Sequence, residues 1–172
     1  MSYKGKVYVA YDVTNDHKYF EELTKWEQTD GSNYNLINGT DILKKIDKVN
    51  DDILKTDLRL RMAEADVCLL VVGEKTKSYR KATRWQVENA IATNMPIIVI
   101  NPNGIRTVDF DKIPAAVKKC LSLHIAYQSL ILEVALLNWP KSHQQYLEKE
   151  KKYNIRYANS VYEALGLETY EI

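Results

Sequence analysis

The chain has 172 residues, with 24 Lys and Arg against 23 Asp and Glu and a formal charge of +1. That length suits one domain with its own core, and so even a charge balance argues against wrapping nucleic acid or adhering to an anionic membrane. The longest apolar runs, residues 67–72 and 95–100, are strand-sized and far short of the roughly 20 residues that cross a bilayer.

The amino terminus, Met-Ser-Tyr-Lys-Gly-Lys, leads into a strand with no apolar leader, so the cytoplasm is the expected location. A continuous apolar run at residues 7–11 predicts the first strand, and Phe20, Leu23 and Trp26 at spacing three predict a helix opening at Asn15-Asp16. A weaker strand follows at residues 34–37, then a helix behind Asp51-Asp52 carrying Ile53, Leu54, Leu58 and Met62. Residues 67–72 read as a strand, Val87, Ala90 and Ile91 as the stripe of a third helix, and residues 96–100 as another strand. A short helical piece at residues 113–120 precedes a weaker strand at 121–127. Ile131, Val134, Ala135 and Asn138 then mark a helix placed before Pro140.

Apolar runs that do not alternate belong to strands covered on both faces. The order of elements predicts an α/β, flavodoxin-like fold: a five-stranded parallel sheet of order 2-1-3-4-5, with right-handed crossovers and helices on both faces. Residues 1–140 form this domain. Residues 141–172 are expected as a helical extension packed on it, rich in tyrosine (Tyr146, Tyr153, Tyr157, Tyr162, Tyr170), with a partner surface as the alternative use of those rings.

In such sheets ligands bind beyond the carboxyl ends of the strands, at the switch point between strands one and three. The segments that reach it are residues 11–17, 38–41 and 73–77, the last leading into a helix with Arg84, Trp85, Gln86 and Glu88. Neither a GxGxxG nor a GxxxxGK[ST] loop follows the first strand, which removes support for dinucleotide-binding and P-loop folds. A phospho-receiver would need a carboxylate where Val72-Gly73 stands and a lysine where Tyr127-Gln128 stands. The histidines, His17, His124 and His143, lack acidic or thiol company at metal-ligand spacing, so no metal site is expected. Cys68 and Cys120 read as reduced packing residues.

Each candidate at the switch point has a plain reading beside the functional one. Asp12 and Asp16 suit helix caps, and Asn38-Gly39 an ordinary turn. Tyr11 belongs to the core with its hydroxyl at the cleft. The basic cluster of Lys75, Lys77, Arg80, Lys81 and Arg84 is either a solvated helix start or a contact for an anionic ligand.

Together these segments resemble the TIR-like family that includes the signalling enzymes of bacterial Thoeris antiphage systems. The resemblance rests on Val7-Tyr8-Val9-Ala10-Tyr11-Asp12, on Asn15-Asp16-His17-Lys18-Tyr19 with Leu23 and Trp26, and on Val71-Val72-Gly73-Glu74-Lys75-Thr76. Arg84-Trp85 followed by Glu88, Ala90 and Ile91, and then residues 96–101, complete it, so that it spans residues 6–139. It implies NAD⁺ as the substrate rather than a bound cofactor, cleavage of the nicotinamide glycosidic bond, and release of an ADP-ribose-derived signal, often cyclised, that activates a separate effector. It also implies self-association to complete the site. On this reading Gln86 and Glu88 fall on the acidic positions of the catalytic helix, and Tyr11, Asp12, Asn15, Asn38, Asp41, Arg84 and Trp85 are the substrate-binding candidates.

The resemblance, aligned through Arg84-Trp85 and Ala90-Ile91, implies that Gln86 stands where the family's catalytic glutamate falls. A carboxylate there would stabilise the oxocarbenium-like ribose as nicotinamide leaves. Losing one such charge at about 4 Å, with an effective dielectric near 20, costs on the order of 4 kcal/mol, or roughly a thousandfold in rate. Glu88, two residues on, points some 200° away around the helix and is no direct replacement. A substituted native glutamate, a different working carboxylate and a non-enzyme are the accounts this leaves. The rival functions are a nucleoside deoxyribosyltransferase-like enzyme and a TIR-like assembly module.

Overall fold

The apolar runs become neighbours in one parallel sheet in the computed structural model, which describes residues 2–29, 31–78 and 80–168. Its strands are β1 (Lys6–Ala10), β2 (Asn35–Ile37), β3 (Val67–Val71), β4 (Ile97–Asn101), β5 (Ser122–Ala126) and β6 (Asn154–Arg156), in the order β2-β1-β3-β4-β5-β6. The central pair is β1 with β3, in parallel register from Val7 opposite Val67 to Ala10 opposite Leu70. Alternate residues feed two cores. Val7, Val9 and Tyr11 face one side with Val67, Leu69 and Val71, and Tyr8, Ala10, Cys68 and Leu70 face the other.

The first core is covered by α1 (His17–Glu27) and α6 (Ser129–Glu148), with Tyr162 of α7 (Asn159–Ala164). The second lies under α2 (Thr40–Leu43), α3 (Asp51–Met62), α4 (Lys81–Ala92) and α5 (Ala115–Lys118). The local signals of α3 agree with one another. Asn50 accepts a hydrogen bond from the Asp52 N–H at 2.9 Å as N-cap, Asp51 and Asp52 meet the positive end of the helix dipole, and Arg59 and Arg61 meet its negative end. Leu54, Leu58 and Met62, four apart, make the buried stripe, while the predicted Ile53 lies outside it at 55 % exposed. Both thiols are free and buried.

The sheet departs from the expected five strands by a sixth, β6, which pairs in parallel with β5. Its sequence, Asn-Ile-Arg, carries no apolar run because an edge strand of three residues needs none. Asn154 fastens it instead: Nδ2 donates to the carbonyls of Val117 and Cys120 and to Ser122 Oγ. The α6 helix also runs through Pro140 to Glu148. The missing N–H leaves one ladder bond unmade, and burial of Leu136, Trp139 and His143 on either side of the proline holds the helix together. Residues 141–168 are thus the last two turns of α6, an added strand and α7, packed on the same core as expected but not helical throughout. Tyr162 is fully buried, Tyr146 and Tyr157 pack against the core, Tyr153 is exposed, and Tyr170 lies outside the described residues.

One crossover also departs from expectation. Both α1 and α6 lie on the same face, yet β1 to β2 steps one way across the sheet and β5 to β6 the other. The last connection therefore has the hand opposite to the preceding four, against the usual rule. Among the described residues no helix is long and apolar enough to cross a membrane.

Candidate functional site

The turn after β2 sits astride the carboxyl end of β1 and touches side chains from both sheet faces. Thr40 Oγ1 lies 3.1 Å from the Tyr11 hydroxyl on one face. On the other, Gly39 packs so closely on Tyr8 that a Cβ would lie 2.5 Å from the hydroxyl oxygen. Asn38 closes the turn by accepting the Thr40 N–H at 2.9 Å. Arg61, in the last turn of α3, anchors the turn by donating to the Asn38 carbonyl at 2.8 Å and to both carboxylate oxygens of Asp41 at 2.9 and 3.1 Å. Those hydrogen bonds hold the Asp41 carboxyl below the usual carboxylate range.

Gln86 lies beneath this turn, 1 % exposed, with both ends of its amide engaged. Tyr8 donates its hydroxyl proton to Oε1 at 2.8 Å, and Nε2 donates to the Ala82 carbonyl one turn back at 3.1 Å. The Ala82 carbonyl can only accept, which fixes the orientation of the amide. Burial pushes the Tyr8 hydroxyl well above its ordinary pKa, keeping it a donor.

Tyr11 stacks on Phe20 with ring centroids 5.1 Å apart, and its hydroxyl also meets His17 Nδ1 at 3.2 Å. Asp12 turns back on its own loop: Oδ1 accepts the backbone N–H groups of Thr14 and Asn15, and Oδ2 accepts from Asn15 Nδ2 at 2.6 Å. The role is local to the loop and is not the helix cap expected for Asp12, because α1 begins only at His17. Asp16 stands at the N-cap of α1 without capping it. Its buried carboxyl packs on Gly73 at the end of β3, where a Cβ would fall 2.2 Å from Oδ1, and lies 3.5 Å from Thr76 Oγ1. Burial, and then the neighbouring Asp12 charge, raise the Asp16 pKa to about 6.

The structure divides the sequence candidates among several places. Gln86 faces Tyr8 and the second core, whereas Tyr11 faces the first, with Asp12 and Asn15 in the loop above it. Trp85 and Glu88 lie on the α3 side of α4, lining a cavity there. The candidates Tyr11, Asp12, Asn38, Trp85 and Gln86 therefore do not line one cleft. At about 100° per residue, Trp85 turns away from Gln86 and shares its stripe with Glu88, three residues on. Arg84 is exposed, with Nε 3.9 Å from Glu88. The pairing of Tyr8 with Gln86, the packing of Gly39 on Tyr8 and that of Asp16 on Gly73 and Thr76 escaped the sequence reading, although it singled out the segments of Gly39, Asp16, Gly73 and Thr76. The available signal was a tyrosine inside an apolar strand, whose hydroxyl must find a partner once buried. Among the described residues no three His, Cys, Asp or Glu side chains are grouped as a metal would need.

Comparison with known proteins finds a match to the family described as Thoeris protein ThsB, TIR-like domain, over residues 8–107, more than half of the chain. The match runs from β1 into the loop after β4. No curated protein matches. Among solved structures, that of a 2-deoxyribosyltransferase from the psychrotolerant bacterium Bacillus psychrosaccharolyticus is similar at 12 % identity, over 74 % of this chain and 90 % of that one, with a TM-score of 0.48.

Proposed function

The chain belongs to the Thoeris ThsB TIR-like family, and from that membership we propose that it processes NAD⁺ in antiphage defence. The C1′–N bond between ribose and nicotinamide breaks, the electron pair leaves with the pyridine nitrogen, and water or a nucleophile of the same molecule closes on the ribosyl cation. The product is an ADP-ribose-derived nucleotide that diffuses to an effector. The observation that supports this reading most is the position of Gln86, bonded to Tyr8 under the turn that follows β2, where open α/β sheets hold their ligands. Reaching it requires the turn of Asn38, Gly39 and Thr40 to move. Tyr11, Asn38 and Asp41 then become the proposed ribose and nicotinamide contacts, with Asp12 and Asn15 shaping the loop beside them. Arg84 is the proposed phosphate contact.

A neutral amide can orient ribose hydroxyls but supplies no charge to the cation. Nicotinamide release from NAD⁺ by the concentrated protein, with any trigger supplied, is expected to be slow and to rise by about two to four orders of magnitude in Gln86→Glu. Glu88→Ala in that background should matter less. An unchanged rate in Gln86→Glu, with activity abolished by Glu88→Ala, would move the chemistry to Glu88. Cleavage of deoxynucleosides but not NAD⁺ would favour the deoxyribosyltransferase-like reaction.

A second reading, an assembly module without turnover, draws on the fact that both ends of the Gln86 amide are already bonded within the protein. Concentration-dependent light scattering without NAD⁺ binding would support it.

A further inference from the structure

On the side of α4 turned to α3, Trp85, Glu88 and Asn89 form one stripe, and with Lys55, Leu58 and Arg59 of α3 they line a cavity of about 230 Å³. Its cations are uncommitted. Nearby Arg61 is bound to Asp41, and Lys81 to Asp51 at 2.6 Å. Among the described residues Lys55 and Arg59 make no ion pair, and Arg59 donates only to the Thr56 hydroxyl at 3.1 Å. They lie four apart on α3 and so present their charges along one face. Lys55 Nζ is 5.2 Å from the centre of the Trp85 ring. Trp85 is 5 % exposed as a residue, and its indole N–H donates to no described residue without being among the buried, unpartnered polar atoms. The one acid in the lining, Glu88, is turned to Arg84.

This side of the groove thus offers two cations without an ion pair and an indole N–H without a hydrogen-bond partner among the described residues, all donors. We propose that the α3–α4 groove binds the phosphate monoester of a small molecule, its anion held by Lys55, Arg59 and the Trp85 indole N–H. Charge-assisted hydrogen bonds from two cations on one helix face suit a phosphate dianion, and the cavity leaves room for the group that carries it. The proposal does not depend on whether NAD⁺ is cleaved.

The test uses the full ¹⁵N-labelled chain and follows the Trp85 indole N–H resonance, assigned by its loss in Trp85→Phe. Ribose 5-phosphate and adenosine 5′-monophosphate are expected to shift it saturably, and adenosine to leave it in place. The double variant Lys55→Glu and Arg59→Glu should weaken both esters about tenfold or more. Unchanged Trp26 and Trp139 indole resonances would show that this variant keeps its fold. Added salt should weaken binding to the parent chain. No saturable shift with either ester would overturn the proposal. So would an equal shift with adenosine, affinity indifferent to the charge reversal, or a response to inorganic phosphate without one to the esters.

Discussion

Gly39 leaves no room for a side chain: an added Cβ would fall 2.5 Å from the Tyr8 hydroxyl and 2.8 Å from Leu58 Cδ1. Neither neighbour can swing away freely, because Tyr8 is held by Gln86 and Leu58 is buried. Gly39→Ala is therefore expected to cost about 1–3 kcal/mol, read from the midpoint of urea unfolding. Tyr8→Phe removes the proton that Oε1 of Gln86 accepts, leaving a buried acceptor unpaired at a cost of about 1–3 kcal/mol. Gln86→Glu adds a pH dependence that separates its effect on fold from its effect on chemistry. One oxygen keeps the Tyr8 bond, but the other faces the Ala82 carbonyl, so the buried acid prefers its proton and its pKa rises above the unfolded value. The variant should be closest to wild-type stability at low pH and lose ground as pH rises through that raised pKa. Thermal unfolding at pH 5 and pH 8 checks this, and a larger deficit at pH 5 would contradict it.

At the scale of elements, the junction of β5 with β6 has a built-in acid sensitivity. His124, fully buried in β5, shares a hydrogen bond of 2.9 Å with Ser122 Oγ, which also accepts from Asn154. Burial depresses the His124 pKa from 6.5 to about 4. The unfolded chain then binds the extra proton first, so the contribution to stability is complete above pH 6.5 and lost as pH falls toward 4. At about 1.4 kcal/mol per pKa unit, the loss is on the order of 3 kcal/mol. Asp16, with its pKa raised to about 6, opposes this: its contribution is complete below pH 3.8 and lost as pH rises through 6. His124→Gln should flatten the acid limb of a stability–pH profile and Asp16→Asn the limb approaching pH 6. A profile unchanged by either would remove these groups as its cause. On α3, Asn50→Ala should cost about 1 kcal/mol through the lost cap, measured by the same unfolding.

For the whole molecule, the carboxyl-terminal residues are part of the fold that carries the site, although the family match ends at residue 107. A chain ending at residue 140 would lose the last two turns of α6, all of β6 and the fully buried Tyr162, whose hydroxyl accepts the Ala126 N–H. The first core would then be open to water. Such a chain is expected to lose cooperative unfolding and sharp near-ultraviolet dichroism. Retention of both would make residues 141–168 dispensable.

The sequence by itself determined the central strands β1, β3 and β4, because strands buried on both faces are written as unbroken apolar runs, with β2 and β5 legible as weaker ones, and it determined α3 through its acidic start and the stripe of Leu54, Leu58 and Met62. The family was legible for the same reason: its pattern follows the strand ends and the α4 helix, which are contiguous in the chain. Tertiary structure alone decided what touches what around Gln86. Tyr8 and Gln86 are 78 residues apart, and nothing local tells a buried tyrosine which amide it will find. It also decided that Trp85 and Glu88 face α3, since helical spacing groups them together but does not say which neighbour they meet. The short β6 was decided there too. Three residues without an apolar run carry no periodic signal, and the strand exists because Asn154 and the edge of β5 supply from a distance the hydrogen bonds that its own sequence cannot.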